Sequence, residues 1–218
     1  MSGRGYWFAA AGLVLAALVL AIVLYPQLPA RIPTHWNARG QVDGTGAKEW
    51  AAFALPALMA AMMGFFALLP WLSPRKFEVD SFRSTYLYVM VLTVGLFGYI
   101  HVLSLLAGLR GGLDVGRALV AGMMLFFAAM GNVMGKLRRN FYIGIRVPWT
   151  LASDRVWNDT HRLAAWLWVA CGLVGFALAL APVPLYAALV PIGVAAVVPI
   201  VYAFLLTKRL ERMEAPAR

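Results

Sequence analysis

Proton transfer or metal ligation in this chain would have to begin at its three histidines, His35, His101 and His161. His35 stands in a polar run with Asn37, Asp43 and Glu49. A zinc site there would need three or four His, Cys or carboxylate ligands, and no second histidine or cysteine is nearby. The same residues serve a turn well: Asn37 and Asp43 shape it, and His35 bonds a carbonyl. A binding role for this run stays open, and no metal or cofactor is expected. His161 follows Asp159, which suggests a general base. No serine or cysteine nucleophile sits in a recognisable elbow, and no carboxylates pair at catalytic spacing. Gly111-Gly112 and Asp43-Gly44-Thr45-Gly46 are too short to cradle a phosphate. We therefore expect no catalytic residues and no enzyme. His101 lies inside an apolar segment, where an ionisable group is either functional or quietly satisfied by one partner. Asn132 and Lys136, four residues apart, make either a polar notch or a simple case of a lysine reaching for water.

The background to these residues is an apolar chain. Of its 218 residues, 62% are hydrophobic and 13% charged, and the mean hydropathy is +0.77. A soluble domain carries roughly 25% charged residues, so this chain cannot clothe itself for water. It reads as an all-α integral membrane protein. The net charge of +10 suits an anionic cytoplasmic leaflet, and nothing resembles a nucleic-acid groove. The single cysteine, Cys171, excludes an intrachain disulfide.

A membrane-spanning helix needs roughly 20 apolar residues. Six stretches qualify: Tyr6–Leu24, Trp50–Leu72, Thr85–Leu109, Ala118–Gly135, Leu163–Ala181 and Val183–Thr207. The first reads as a retained helix, since Pro26, Pro29 and Pro33 follow it in place of a cleavage site. Pro182 and Pro184 make a tight turn before the sixth. Basic residues fix the orientation. Arg4, the second loop (Arg75, Lys76, Arg83), the fourth loop and the tail (Lys208, Arg209, Arg212, Arg218) fall on one side. The fourth loop alone holds Lys136, Arg138, Arg139, Arg146, Arg155 and Arg162. Only Arg31, Arg39, Lys48, Arg110 and Arg117 fall on the other. The positive-inside rule places both termini in the cytoplasm.

Two long loops organise the rest. The outer one, between the first two spans, should run extended through Ile32–Trp36. Two turns should follow, at Asn37–Gly40 and Asp43–Gly46, with the second helix starting near Lys48. The basic cytoplasmic loop, 136–162, should be irregular through Asn140–Trp149. Thr150 or Ser153 would then cap a helix starting near Asp154. On that helix Arg155, Asp159 and Arg162 share a face, with Trp157, His161, Ala164 and Trp168 on the next. Small pairs such as Gly95/Gly98 and Gly131/Gly135 allow close helix approach. Both loops contain Arg-(Ile/Val)-Pro beside Thr and Trp, and each half reads as three helices, a faint 3+3 inverted repeat.

The outer run Leu28-Pro29 … Ile32-Pro33-x-His35-Trp36-Asn37-x-x-Gly40-x-x-Asp43-Gly44 resembles the bacterial HWN-motif domain of unknown function that often precedes an SdpI-like region. Met130-Gly131-Asn132 through Lys136, Asn140, Gly144-Ile145-Arg146, Pro148-Trp149-Thr150-Leu151, Ser153, Val156-Trp157 and Thr160-His161-Arg162 resembles the SdpI-like segment itself. Where that pattern usually has Thr this chain has Val147, and where Gly is common it has Ala164-Ala165. The resemblance divides the chain into 1–72, carrying the outer loop, and 73–218, carrying the SdpI-like region. It implies a multi-pass immunity and signal-transduction protein of the bacterial plasma (inner) membrane, resisting a secreted membrane-active peptide and holding a cytoplasmic repressor. The implied ligand residues are His35, Trp36, Asn37, Gly40, Asp43 and Gly44. The implied partner residues are Asn132, Lys136, Asn140, Gly144, Arg146, Pro148, Trp149, Trp157, Thr160, His161 and Arg162. Two rival readings remain: a transporter or channel using His101, Asn132 and Lys136 as a polar path, and a non-catalytic envelope-maintenance protein.

Overall fold

The computed structural model describes residues 3–72, 79–110 and 114–214. Arg75, Lys76, Gly111-Gly112 and Arg218 lie outside the described residues. In chain order the elements are α1 (Gly3–Leu24), a hairpin of β1 (Arg31–Trp36) and β2 (Val42–Ala47), α2 (Lys48–Leu72), α3 (Arg83–Leu109) and α4 (Val115–Met134). A short α5 (Pro148–Ala152), α6 (Asp154–Leu180) and α7 (Val190–Glu214) follow. Six of these helices are long and apolar enough to cross a membrane. The chain is an all-α multi-pass membrane protein with one two-stranded hairpin added at one end.

The helices stop where their sequence cannot continue. Pro26 lies in the 3₁₀ turn Tyr25–Gln27 that ends the first span, and a ring without N–H cannot extend an α ladder. Asp114 caps α4, accepting the Arg117 N–H at 3.0 Å. Ser153 caps α6, as expected, accepting from Val156 N–H at 3.4 Å. At 27 residues, α6 is about 40 Å long, whereas a bilayer core takes only about 30 Å of it. Its first two turns form the lead-in anticipated from the sequence. The last helix starts at Val190, not Val183, because Pro184 opens a 3₁₀ turn over Leu185–Leu189.

Packing converges on two seams. Tyr86 of α3, almost fully buried, packs at a tilt against Phe66, ring centroids 5.1 Å apart, and donates its hydroxyl to the Phe66 carbonyl at 2.6 Å. It anchors a core shared by α1, α2, α3, α4 and α6. The second seam joins α4 to α6 backbone to backbone. A Cβ on Gly131 would meet Val169 N at 2.6 Å, and one on Gly172 would meet Ala128 N at 2.7 Å. Gly131 was anticipated as a small contact, Gly172 was not. A Cβ added at Gly135 would meet only Ala165 Cβ, at 3.9 Å, so Gly135 is not part of the close approach.

Two expectations change. Asp43–Gly46 is not a second turn but part of β2, because Thr45 and Gly46 pair with Pro33 and Ile32 across the hairpin. The halves are also not equivalent. α1 packs on both α2 and α3, whereas α4 packs on α6 and scarcely touches α7. An inverted 3+3 repeat would require α4–α7 to copy α1–α3.

Candidate functional site

The hairpin and the basic loop sit at opposite ends of α4. At its first residues, a Cβ on Gly116 would run into the Gly40 backbone. At the other end, α4 leads through Met134 into Leu137 and Asn140, both buried. With 20 residues, α4 separates the two ends by about 30 Å.

At the hairpin end, Asn37 makes the turn. Its side-chain oxygen accepts from the Arg39 N–H at 2.9 Å and the Gln41 N–H at 3.1 Å. Gly40 supplies the left-handed residue, φ +80°, that such a turn needs. His35 Nδ1 and Asp43 Oδ1 meet at 2.5 Å across the strands, on the exposed surface. The partner of His35 is thus a carboxylate rather than a carbonyl. Gly44 lies directly opposite His35, and a Cβ there would come within 2.9 Å of the His35 Cβ. The hairpin is tied down by Ser104, which donates to the Pro33 carbonyl at 2.6 Å, and by fully buried Ile32 against Gly108. Beneath it lies a cavity of about 290 Å³ lined by His35, Trp36 and Asn37 above and Ile100, Met123 and Leu185 below. Three of the six expected ligand residues therefore line one cavity. Of the others, Asp43 bonds His35, Gly44 leaves room for it and Gly40 rests on α4.

The other end is a clasp of buried polar groups. Asn140, with no exposed surface, donates to the carbonyls of Arg138 (2.8 Å) and Ile143 (3.1 Å). It accepts from the N–H groups of Tyr142 (2.7 Å) and Ile143 (2.8 Å). His161 donates from Nδ1 to the Trp157 carbonyl at 2.8 Å and accepts at Nε2 from the Ile145 N–H at 3.0 Å. An amide N–H only donates and a carbonyl only accepts, so the imidazole is neutral, with its hydrogen on Nδ1. The ring stacks on Trp157 at 4.0 Å, and Trp157 Nε1 donates to the Leu137 carbonyl at 2.8 Å. Gly144, at φ +111°, passes so close that any Cβ would meet His161 Nε2. Thr150 Oγ1 accepts from the Val147 N–H (3.1 Å) and donates to the Ile145 carbonyl (2.7 Å). Buried polar groups are expensive unless paired, and here they pair with backbone that no helix or sheet satisfies.

Of the expected partner residues, Asn140, Trp157, Thr160 and His161 are buried. A protein docked on this face would touch their neighbours instead. The Thr160 hydroxyl has no hydrogen-bond partner among the described residues. Gly144 and Trp149 are half-buried, Trp149 packing edge-on against Phe204 of α7 at 5.1 Å. Asn132, Lys136, Arg146, Pro148 and Arg162 are exposed. Asp159 pairs with Arg162 at 3.0 Å. Arg155 makes no ion pair among the described residues, so the carboxylate is not shared between two guanidinium groups as anticipated. The rival polar path does not assemble: His101 bonds the Ala17 carbonyl of α1 at 3.1 Å, while Asn132 faces outward and Lys136 lies at the end of α4.

Two arginines proved more structural than their sequence context suggested. Arg139 pairs its Nε with Asp154 at 2.8 Å and donates to the Leu151 carbonyl at 2.9 Å, tying the loop to the start of α6. Arg117 reaches from α4 to the carbonyls of Ala179 (3.1 Å), Ala181 (2.7 Å) and Val183 (2.8 Å). It closes the C-terminus of α6, where a cation is favoured. The acidic Asp154 in a first helical turn was a usable signal for Arg139. Nothing in the local sequence marked Arg117.

A bundle of membrane helices with a packed hairpin at one end and a polar clasp at the other defines a non-repeated, multi-pass loop-presenting protein. Residues 136–203 match the SdpI/YfhL protein family, and residues 12–60 match a domain of unknown function, DUF1648. The chain is thus similar to an SdpI/YfhL region over its second half, with the domain of unknown function matched in front of it. It is 26% identical over 162 residues to the immunity protein SdpI of Bacillus subtilis, covering 74% of this chain and 75% of that one. It is 38% identical over 58 residues to the uncharacterized membrane protein YbgB of Bacillus subtilis, covering 27% of this chain and 59% of that one. No solved structure matches.

Proposed function

We propose that this protein is an immunity protein of a bacterial plasma membrane, with its hairpin outside and its basic clasp in the cytoplasm. The hairpin and the cavity beneath it take a secreted, membrane-active peptide. The exposed cations around the clasp, Arg146, Arg155 and Arg162, take a cytoplasmic regulator. Segment 1–72 supplies the ligand hairpin, and 73–218 supplies the platform and the clasp. No step in this reading is catalytic.

The observation that carries the proposal is that one helix bears both devices. Gly116 of α4 supports the hairpin turn, and the end of α4 runs into the clasp. The glycine seam makes α4 and α6 move together rather than slide past each other, since packed backbones have no slack. A ligand that lifts the hairpin would therefore displace the clasp through α4. Similarity to an immunity protein over three quarters of its length supports the same reading.

The test is survival of a sensitive bacterial host challenged with membrane-active killing peptides. Wild type should protect, and His35→Ala should abolish protection at unchanged protein level. Arg155→Ala/Arg162→Ala should protect but lose the regulator. Absence of protection by wild type against every peptide, together with solute flux in proteoliposomes, would replace this reading by transport.

A further inference from the structure

The basic loop's cations do not all do the same work. Arg139 is spent on Asp154 and Leu151, Arg146 donates to the Phe141 carbonyl, and Arg162 pairs with Asp159. Lys136 and Arg138 are exposed, and neither side chain makes a hydrogen bond or ion pair among the described residues. Both line a separate cavity of about 530 Å³ at the corner where α4 ends and α3 begins. Facing them across it are Arg83, Ser84, Thr85 and one carboxylate, Asp80, which is held by Arg83 at 3.1 Å. Among the described residues, three cations and several hydroxyl groups face one carboxylate, itself engaged, so this lining is net positive. None of Arg146, Arg155 and Arg162 belongs to it.

We infer that this cavity binds a phosphate group, and that its natural source is the headgroup of an anionic lipid. Two unpaired cations held near each other repel, and an anion between them relieves that repulsion. Ammonium, guanidinium and hydroxyl donors together match phosphate oxygens. Depth selects the lipid. Lys136 follows Met134, the last residue of α4, and Ser84 and Thr85 open α3, so the cavity lies where two spans leave the hydrocarbon. That is the headgroup layer of the cytoplasmic leaflet, where anionic lipid concentrates. On the same corner Tyr6 of α1 reaches Ser84 at 3.4 Å, so α1 braces the wall of the cavity from outside. The site is distinct from the surface assigned above to the regulator and does not depend on it.

The experiment is thermal unfolding of the full chain in neutral detergent, titrated with phosphatidylglycerol, phosphatidylcholine or inorganic phosphate. Phosphatidylglycerol should raise the midpoint saturably, and phosphatidylcholine should not. Lys136→Gln/Arg138→Gln should lose most of that shift. Asp80→Asn, which deletes the cavity's carboxylate, should reach saturation at several-fold lower lipid; a purely structural role for these residues would not produce that gain. The control is Arg209→Gln/Arg212→Gln, exposed cations of α7, which should shift like wild type. An equal shift with inorganic phosphate, lost in the Lys136/Arg138 variant, would keep the phosphate site and make its source soluble. A full shift retained in the Lys136/Arg138 variant, or an equal loss in the control, would overturn the proposal.

Discussion

The hairpin and the clasp are built from the same vocabulary of Pro, Gly, Trp, Asn and His, yet they put it to opposite uses. Across the hairpin strands, polar side chains pair with one another at the surface: His35 meets Asp43, and Arg31 meets Thr45. In the clasp they are buried and satisfy backbone: Asn140 makes four such bonds and His161 two. Surface pairs can be exchanged for a ligand at little cost, because water already competes for them. Buried pairs cannot, because their backbone partners would be left without water. A resemblance that marks both histidines equally therefore covers two kinds of residue, one free to bind and one that holds shape.

The largest expected effect is at Gly144. Replacement by valine forces a β-branched residue to φ +111° and drives its Cβ into His161. Backbone strain of about 1–3 kcal/mol adds to the loss of the Ile145–His161 bond. Folded protein recovered by size exclusion in detergent should fall sharply. Recovery equal to wild type would mean that the clasp is looser than this geometry requires.

Next come the clasp side chains themselves. Asn140→Ala strands two N–H groups and two carbonyls and should cost about 2–4 kcal/mol. Asn140→Asp still accepts from Tyr142 and Ile143 but turns a donor into an acceptor against two carbonyls, so it should also destabilise. His161→Ala removes both ring bonds and the Trp157 stack, at a similar cost. Thermal midpoints read all three. If His161→Ala unfolded no earlier than wild type yet lost function, the division between shape-holding and binding histidines would fail.

How far the sequence revealed this division follows from what each feature depends on. Span length and loop charge are local, so six helices, the long lead-in of α6 and the cap at Ser153 could all be read in advance. The face carrying Trp157, His161 and Ala164 was visible in helical spacing, but its burial was not, and the resemblance marks two of its residues as partner-binding. What it packs against was invisible, because Asn140 and Gly144 reach it through an irregular loop. Strand pairing is non-local as well: Asp43-Gly44-Thr45-Gly46 has turn composition, and only the partner strand makes it extended. Arg117 escaped for the same reason. Its three carbonyls lie more than sixty positions away, and a positive-inside count treats it as one more outer charge.

Gly116 tests the join between the two ends. Alanine there cannot coexist with the present position of Gly40, so the turn must lift from α4. The stability cost should be about 1–2 kcal/mol, below that of the clasp variants. A cysteine placed at Arg39 should label faster in Gly116→Ala than in an otherwise wild-type chain. Equal labelling would show that the hairpin does not depend on α4, and the proposed transmission from one end to the other would lose its first link.

The smallest effect on stability, and the sharpest on the comparison, belongs to His35 and Asp43. Their pair is exposed, with side-chain exposures of 71% and 42%, so breaking it should cost about 0–1 kcal/mol. His35→Ala and Asp43→Asn should therefore unfold within a degree or two of wild type. Peptide protection should nevertheless fall, because His35 also lines the cavity under the hairpin. Stability and protection thus separate at this end and travel together at the clasp. A double-mutant cycle sharpens the point: if the two residues act as one binding element, the second substitution adds nothing to the loss of protection caused by the first. Additive losses would mean that each meets the ligand separately, and no loss from either would move the ligand off the hairpin.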